Sequence, residues 1–203
     1  MRYNDLYQFV ISELENKLAE NLSYHNVDHT KKVIESVVYL AEKEGISEND
    51  LMLLKTAALL HDVGFINGYL NHEVLGCEYA KKILPEYQYS TLEIEEICKM
   101  IMATKTPQNP KNDLSKILCD ADVFYLGSNN YKTSSEKLYS ELKEYGMLKT
   151  REDFHRREVD FLKTHRFFTK TAREERGPKK EENILYLEQN SQLLKERKPN
   201  LIE

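Results

Sequence analysis

The feature that most constrains this chain is the stretch LLKTAALLHDVGF at residues 53–65, an apolar run that ends in an adjacent His and Asp. From Leu51 to Leu60 only Lys55 and Thr56 interrupt the apolar character. A helix so apolar on every side belongs at the centre of a fold. An imidazole and a carboxylate delivered there are costly to bury unless a partner satisfies both. Gly64, straight afterwards, lets the chain turn close to whatever sits beside them. Any fold has to surround this helix and supply that partner.

The rest of the 203 residues also reads as helix, broken by only seven Gly and five Pro. A first helix covers about residues 3–21 and a second about 26–44, stopped by Gly45. SEND (residues 47–50) caps the third, and a fourth runs from about Asn71 to before Pro85. STLE (residues 90–93) is a capping box launching a fifth helix through about Thr104. After the proline-marked loop KTPQNPKND, a sixth helix holds LSKILCDADVFYLG and closes at Gly127. About three more helices follow, with breaks expected near Gly146 and at RGPKK (residues 176–180). The charged stretch beyond Pro178 is expected to pack loosely. No alternating run bounded by turn residues makes a strand, so the expected class is all-α.

Composition narrows the function classes. A formal net charge of −5 gives no extended nucleic-acid surface, and an anionic substrate would need local cations. Cys77, Cys98 and Cys119 form no CxxC pair and sit in apolar helical patterns, the pattern of buried free thiols in a reducing compartment. The first eighteen residues carry acids and no long apolar core, and no stretch reaches the length of a membrane span. The expectation is a cytoplasmic protein.

Three places put polar residues where apolar ones belong. Val33, Val37 and Leu40 define one edge of the second helix's apolar face, and His29 falls on the same edge. Asp28 points with Lys32 and Glu35 to the polar side, and His25 would lie beside His29 if the helix starts early. The third helix ends in His61 and Asp62. In CDAD, Asp122 lies between Leu118 and Leu126 at one-turn spacing, while Asp120 aligns with Lys116 and Asp113. Both flank the main apolar stripe, and the spacing favours Asp122 slightly as the inward carboxylate. Singly, each of these residues has an ordinary structural role. Together, His29, His61, Asp62 and Asp122 make a mixed nitrogen and oxygen ligand set, suited to a first-row divalent ion with open positions for water.

In order and helical context, YHNVDHTKKV, LLHDVGF and LCDADVFYLG resemble the HD-domain superfamily of metal-dependent phosphohydrolases, over about residues 23–127. The resemblance implies an HD-domain helical bundle with additional C-terminal helices: one domain over residues 1–203, a metal-site core at about 23–127 and a helical extension at about 131–203. It implies His29, His61, Asp62 and Asp122 as metal ligands, holding one divalent ion (Mn, Mg, Fe, Co, Ni or Zn), with a second ion depending on His72. The implied reaction is hydrolysis of a phosphoester or phosphoanhydride in a small nucleotide-like substrate by a metal-activated water. Asp62 would join ligation to water orientation, His72 and Lys105 would contact phosphate, and His25 would give a proton to the leaving group. His165 and Arg166, in FLKTHRFFTKTARE, would close over the substrate. Cyclic-nucleotide phosphodiesterase activity and a non-catalytic nucleotide-binding or regulatory module are the alternatives, and self-association stays open. The cyclic-dinucleotide branch's Gly-Tyr-Pro signature is replaced by NGYLNHE, with Leu70 in place of Pro. The acidic pair of the alarmone hydrolases is replaced by VGFIN.

Overall fold

The computed structural model describes the backbone of residues 1–196 and the side chains of residues 1–189; the end of the expected C-terminal extension, residues 197–203, lies outside the described residues. Nine α-helices and no strand occur among them. They are α1 (Tyr3–Lys17), α2 (Val27–Lys43), α3 (Glu48–Leu60), α4 (His72–Ile83), α5 (Thr91–Thr104), α6 (Asp113–Asp122), α7 (Tyr131–Glu144), α8 (Arg151–Thr164) and α9 (Lys170–Glu196). Short 3₁₀ turns at Val63–Ile66, Leu84–Tyr87 and Phe124–Gly127 follow α3, α4 and α6.

The apolar third helix is the hub. Leu54, Ala57, Ala58, Leu59 and Leu60 are fully buried, and α1, α2, α5 and α6 all pack on α3. Caps fix where the helices around the hub begin. Ser47 accepts from the Asp50 amide, and Ser90 and Glu93 form the reciprocal capping box ahead of α5. A second box, Thr150 with Asp153, starts α8. On the far side, α9 lies on the Phe124–Gly127 turn and on α8, and α7 packs on the same turn. Gly127 is required there: a Cβ would come 2.1 Å from the Arg176 carbonyl oxygen.

Several sequence expectations are corrected. The first helix stops at Lys17 rather than near Asn21, and α6 ends at Asp122 rather than at Gly127. RGPKK does not break the chain: α9 runs through it with Pro178 inside. Packing outweighs the lost hydrogen bond, because Ala172, Lys180, Asn183, Ile184 and Leu187 are all buried along one helix. The same burial corrects the loose packing expected beyond Pro178 as far as Leu187; from residue 190 onward that stretch lies outside the described side chains. The break between the last two helices falls instead at residues 165–169, where the backbone amides of Phe168 and Thr169 and the Thr169 hydroxyl all donate to Asp120. Asp120 is fully buried, not on the polar side with Lys116 and Asp113.

Candidate metal centre

Four side chains meet because three helices end at one place. The Asn26 side chain accepts from the amides of Asp28 and His29, so α2 starts at Val27 and His29 sits in its first turn, buried. His61 is the residue capping the end of α3, and Asp62 leaves the helix (φ −107°, ψ 3°) into the Val63–Ile66 turn. Asp122 is the last residue of α6. The carbonyl ends of α3 and α6 therefore both point partial negative charge at this spot, which favours a cation.

The distances are those of a coordination shell. His29 Nε2 lies 3.3 Å from His61 Nε2 and 3.2 Å from Asp122 Oδ1. Asp62 Oδ2 lies 3.1 Å from His61 Nε2 and 3.4 Å from His29 Nε2. Ligands about 2.1 Å from one ion sit about 3.0 Å apart at octahedral angles and about 3.4 Å apart at tetrahedral ones. His61 Nδ1 donates to the Ala58 carbonyl at 2.7 Å, which leaves its Nε2 lone pair facing the cluster. Asp62 Oδ2 is buried and has no hydrogen-bond partner among the described residues. Two facing imidazole Nε2 atoms and an orphaned carboxylate oxygen fit a metal ion, and His29, His61 and Asp122 could hold one.

The charges interlock. Burial alone would push the Asp62 carboxyl up, but His61, His25 and His29 outweigh it and hold the group far below the usual carboxylate range. Burial likewise opposes the charged form of His61, and Asp62 and Asp122 reverse it, raising that imidazole well above its ordinary value. A cation in the centre would take the place of those protons.

The other residues singled out in the sequence fall into two groups. His72 opens α4, with Nε2 3.6 Å from Asp62 Oδ1, so the two Asp62 oxygens face opposite sides. Its ring stacks on Phe65 (4.0 Å between centroids), and His25 stacks on the same ring (4.6 Å). Lys105, just past α5, donates to Asn71 Oδ1 at 3.2 Å, one residue before His72. His25 lies outside α2, yet its ring is 5.8 Å from that of His29. His165 and Arg166 are placed elsewhere. The His165 ring packs against Phe161 and Phe167, and burial, then the charges of Lys180 and Arg166, depress its pKa to about 4. Arg166 donates to the carbonyls of Lys163 and His165.

Two acids escaped sequence reasoning. Glu141, on α7, is fully buried and accepts from the backbone amides of Tyr24 (2.8 Å) and His25 (2.9 Å), from His25 Nδ1 and from the Tyr69 hydroxyl. It fixes the His25 ring, and despite burial its contact raises the His25 pKa. Glu73 is buried with Oε1 3.6 Å from His72 Nε2. In sequence both look like surface acids; the segment carrying Tyr24 and His25 makes Glu141 interior.

An all-helical bundle with a His/Asp cluster at converging helix ends defines the class, and residues 26–126 match the HD domain model. The chain belongs to the HD-domain superfamily of metal-dependent phosphohydrolases. Two solved structures share the fold. One is a predicted HD superfamily hydrolase from an uncultured Thermotogales bacterium: 22% identity, 93% of this chain and 91% of that one covered, TM-score 0.58. The other is Bacillus subtilis YpgQ, solved in complex with ADP: 18% identity, 99% of each chain covered, TM-score 0.65. No curated protein sequence matches the chain. No helix among the described residues is long and apolar enough to cross a membrane.

Proposed function

We propose that the chain hydrolyses a phosphoester or phosphoanhydride of a small nucleotide-like substrate, with His29, His61, Asp62 and Asp122 as the ligands of a divalent ion. The observation that carries this reading is the meeting of two imidazole Nε2 atoms with Asp122 Oδ1 and the orphaned Asp62 Oδ2, each nitrogen 3.1–3.7 Å from each oxygen. When bound, such an ion supplies Lewis acidity and a water of lowered pKa. The protein's own groups do the rest. Asp62 and His72 face each other across 3.6 Å, where they can orient a water or phosphoryl oxygen, and Glu73 braces His72. His25, with Glu141 on Nδ1, is set up to donate a proton from its other nitrogen to a departing oxygen. The Asp62, His72 and Glu73 side would take a second ion if one binds. The ADP bound to YpgQ supports a nucleotide as the ligand class.

Elemental analysis of the purified protein beside His61→Ala, followed by a nucleotide hydrolysis screen with Asp62→Ala, tests this. Expected are a near-stoichiometric divalent metal in the wild type only, and metal-dependent hydrolysis that falls to background in Asp62→Ala with helicity intact. Undiminished hydrolysis in that variant would overturn the mechanism. Nucleotide binding without hydrolysis, at any added metal, would make the chain a binding module.

A further inference from the structure

A cavity of about 580 Å³ opens directly from His29 and Asp122. Its lining comes from α2, the Phe124–Gly127 turn, α7 and α9 and includes neither His72 nor Lys105. Its volume is that of a small-molecule site. Lys32 of α2, Lys137 of α7 and Arg176 of α9 all line it. The ammonium groups of Lys32 and Lys137 pair with no carboxylate among the described residues. Arg176 lies over the Phe124 ring at 4.1 Å, and its Nε is buried with no hydrogen-bond partner. The start of α7 lines the same wall through Asn130, Thr133 and Ser134. Asn130 makes no side-chain cap, so the first-turn amides of α7 have no side-chain acceptor. Asp28 and Glu35, both exposed residues of α2, are the only carboxylates on the lining besides Asp122. The three cations match the three carboxylates of the lining, so with Asp122 assigned to the metal ion the groove keeps an excess of one positive charge in a chain of net charge −5, beside the uncapped helix start.

We infer that this groove holds a second anionic group of the substrate, so that the site takes molecules with two or more linked phosphates in preference to monophosphate esters. This inference rests on the metal-centre reading for the position of the first phosphate. One phosphoryl group at the cluster would be neutralised there. Lys32 and Lys137, which no carboxylate pairs among the described residues, and Arg176 are then left for a part of the ligand that extends along the groove. Arginine presents a planar fork of donors suited to phosphate oxygens, and the lysines add point charges. Two of the three cations come from α7 and α9, beyond the residues 26–126 that match the HD domain. The C-terminal helices thus supply the substrate preference, while the core supplies the ligands.

The test is calorimetric titration of the full chain, stripped of metal, with inorganic tripolyphosphate and with orthophosphate. Wild type is expected to bind tripolyphosphate, and to bind orthophosphate at least about tenfold more weakly. Lys32→Ala and Lys137→Ala are each expected to weaken tripolyphosphate about tenfold. Lys143→Ala, an equal loss of charge at the other end of α7, leaves binding unchanged. Equal affinities across the three lysine variants, orthophosphate binding as tightly as tripolyphosphate, or no binding to wild type would each overturn the inference. Because the titration uses no metal and no turnover, an inactive or metal-free wild type would defeat the phosphohydrolase reading without touching this result.

Discussion

Replacing Gly64 with alanine puts a single methyl group where the structure has no room. The added Cβ would lie 1.9 Å from the His72 carbonyl oxygen, 2.7 Å from its carbon and 2.8 Å from the Gly76 amide nitrogen. All three are backbone atoms, so no rotamer change relieves the clash. Bringing the nearest contact to even 3.0 Å requires the first turn of α4 to withdraw by about 1.1 Å from the turn that follows Asp62. Overpacking of this kind costs about 1–3 kcal/mol. For a chain of this size each kcal/mol lowers Tm by about 2–4 °C, so a drop of about 2–12 °C is expected in thermal unfolding followed by circular dichroism. The same withdrawal moves His72 away from Asp62, now 3.6 Å apart, and about 1 Å of misplacement costs about a hundredfold in kcat/KM if the pair works on substrate. Gly68→Ala is the control, since its added Cβ meets nothing closer than 3.4 Å, and it should leave Tm within about 1 °C. A Gly64→Ala protein that melts with the wild type and retains full turnover would refute the argument that α4 is seated against Gly64.

Two further substitutions test the C-terminal half. His165 is buried neutral with a pKa depressed from 6.5 to about 4, so the unfolded chain gains a proton first as pH falls. Its contribution to stability is intact above pH 6.5 and is lost between pH 6.5 and about 4, with a ceiling of about 3 kcal/mol at 1.36 kcal/mol per pH unit. His165→Leu should flatten denaturant-measured stability across that window relative to wild type; parallel curves would show that the ring is solvated. Pro178→Ala restores an amide donor inside α9 at an exposed position and should raise stability by about 1–3 kcal/mol in the same assay. No gain would mean that α9 already bends to accommodate the proline.

Local chemistry made part of this legible. The caps at Asn26, Ser47 and Ser90 lie within three residues of the amides they satisfy, so each helix start is written beside the helix it starts. The apolar run of α3 and the periodic edge carrying His29 likewise report burial, because a helix's own pattern records which face is covered. What stayed hidden depends on partners distant in sequence. Asp120 is interior because a loop 48 residues later supplies its donors, and nothing in CDAD records that loop. Glu141 sits in the charged run SELKE, where a carboxylate is ordinarily solvated, until the amides of Tyr24 and His25 reach it. Pro178 misled for the converse reason: a strong local breaker was outweighed by burial of the side chains around it.

The reach of Glu141 also orders events during synthesis. A ribosome delivers His29, His61, Asp62 and Asp122 well before residue 141. Yet the amides of Tyr24 and His25, just ahead of α2, acquire their buried acceptor only 117 and 116 residues further along the chain. Contacts so distant in sequence form late in a folding chain. A nascent protein arrested after α6 therefore carries all four expected ligands while the Tyr24–His25 segment beside them is not yet pinned, and α7 is the piece whose emergence pins it.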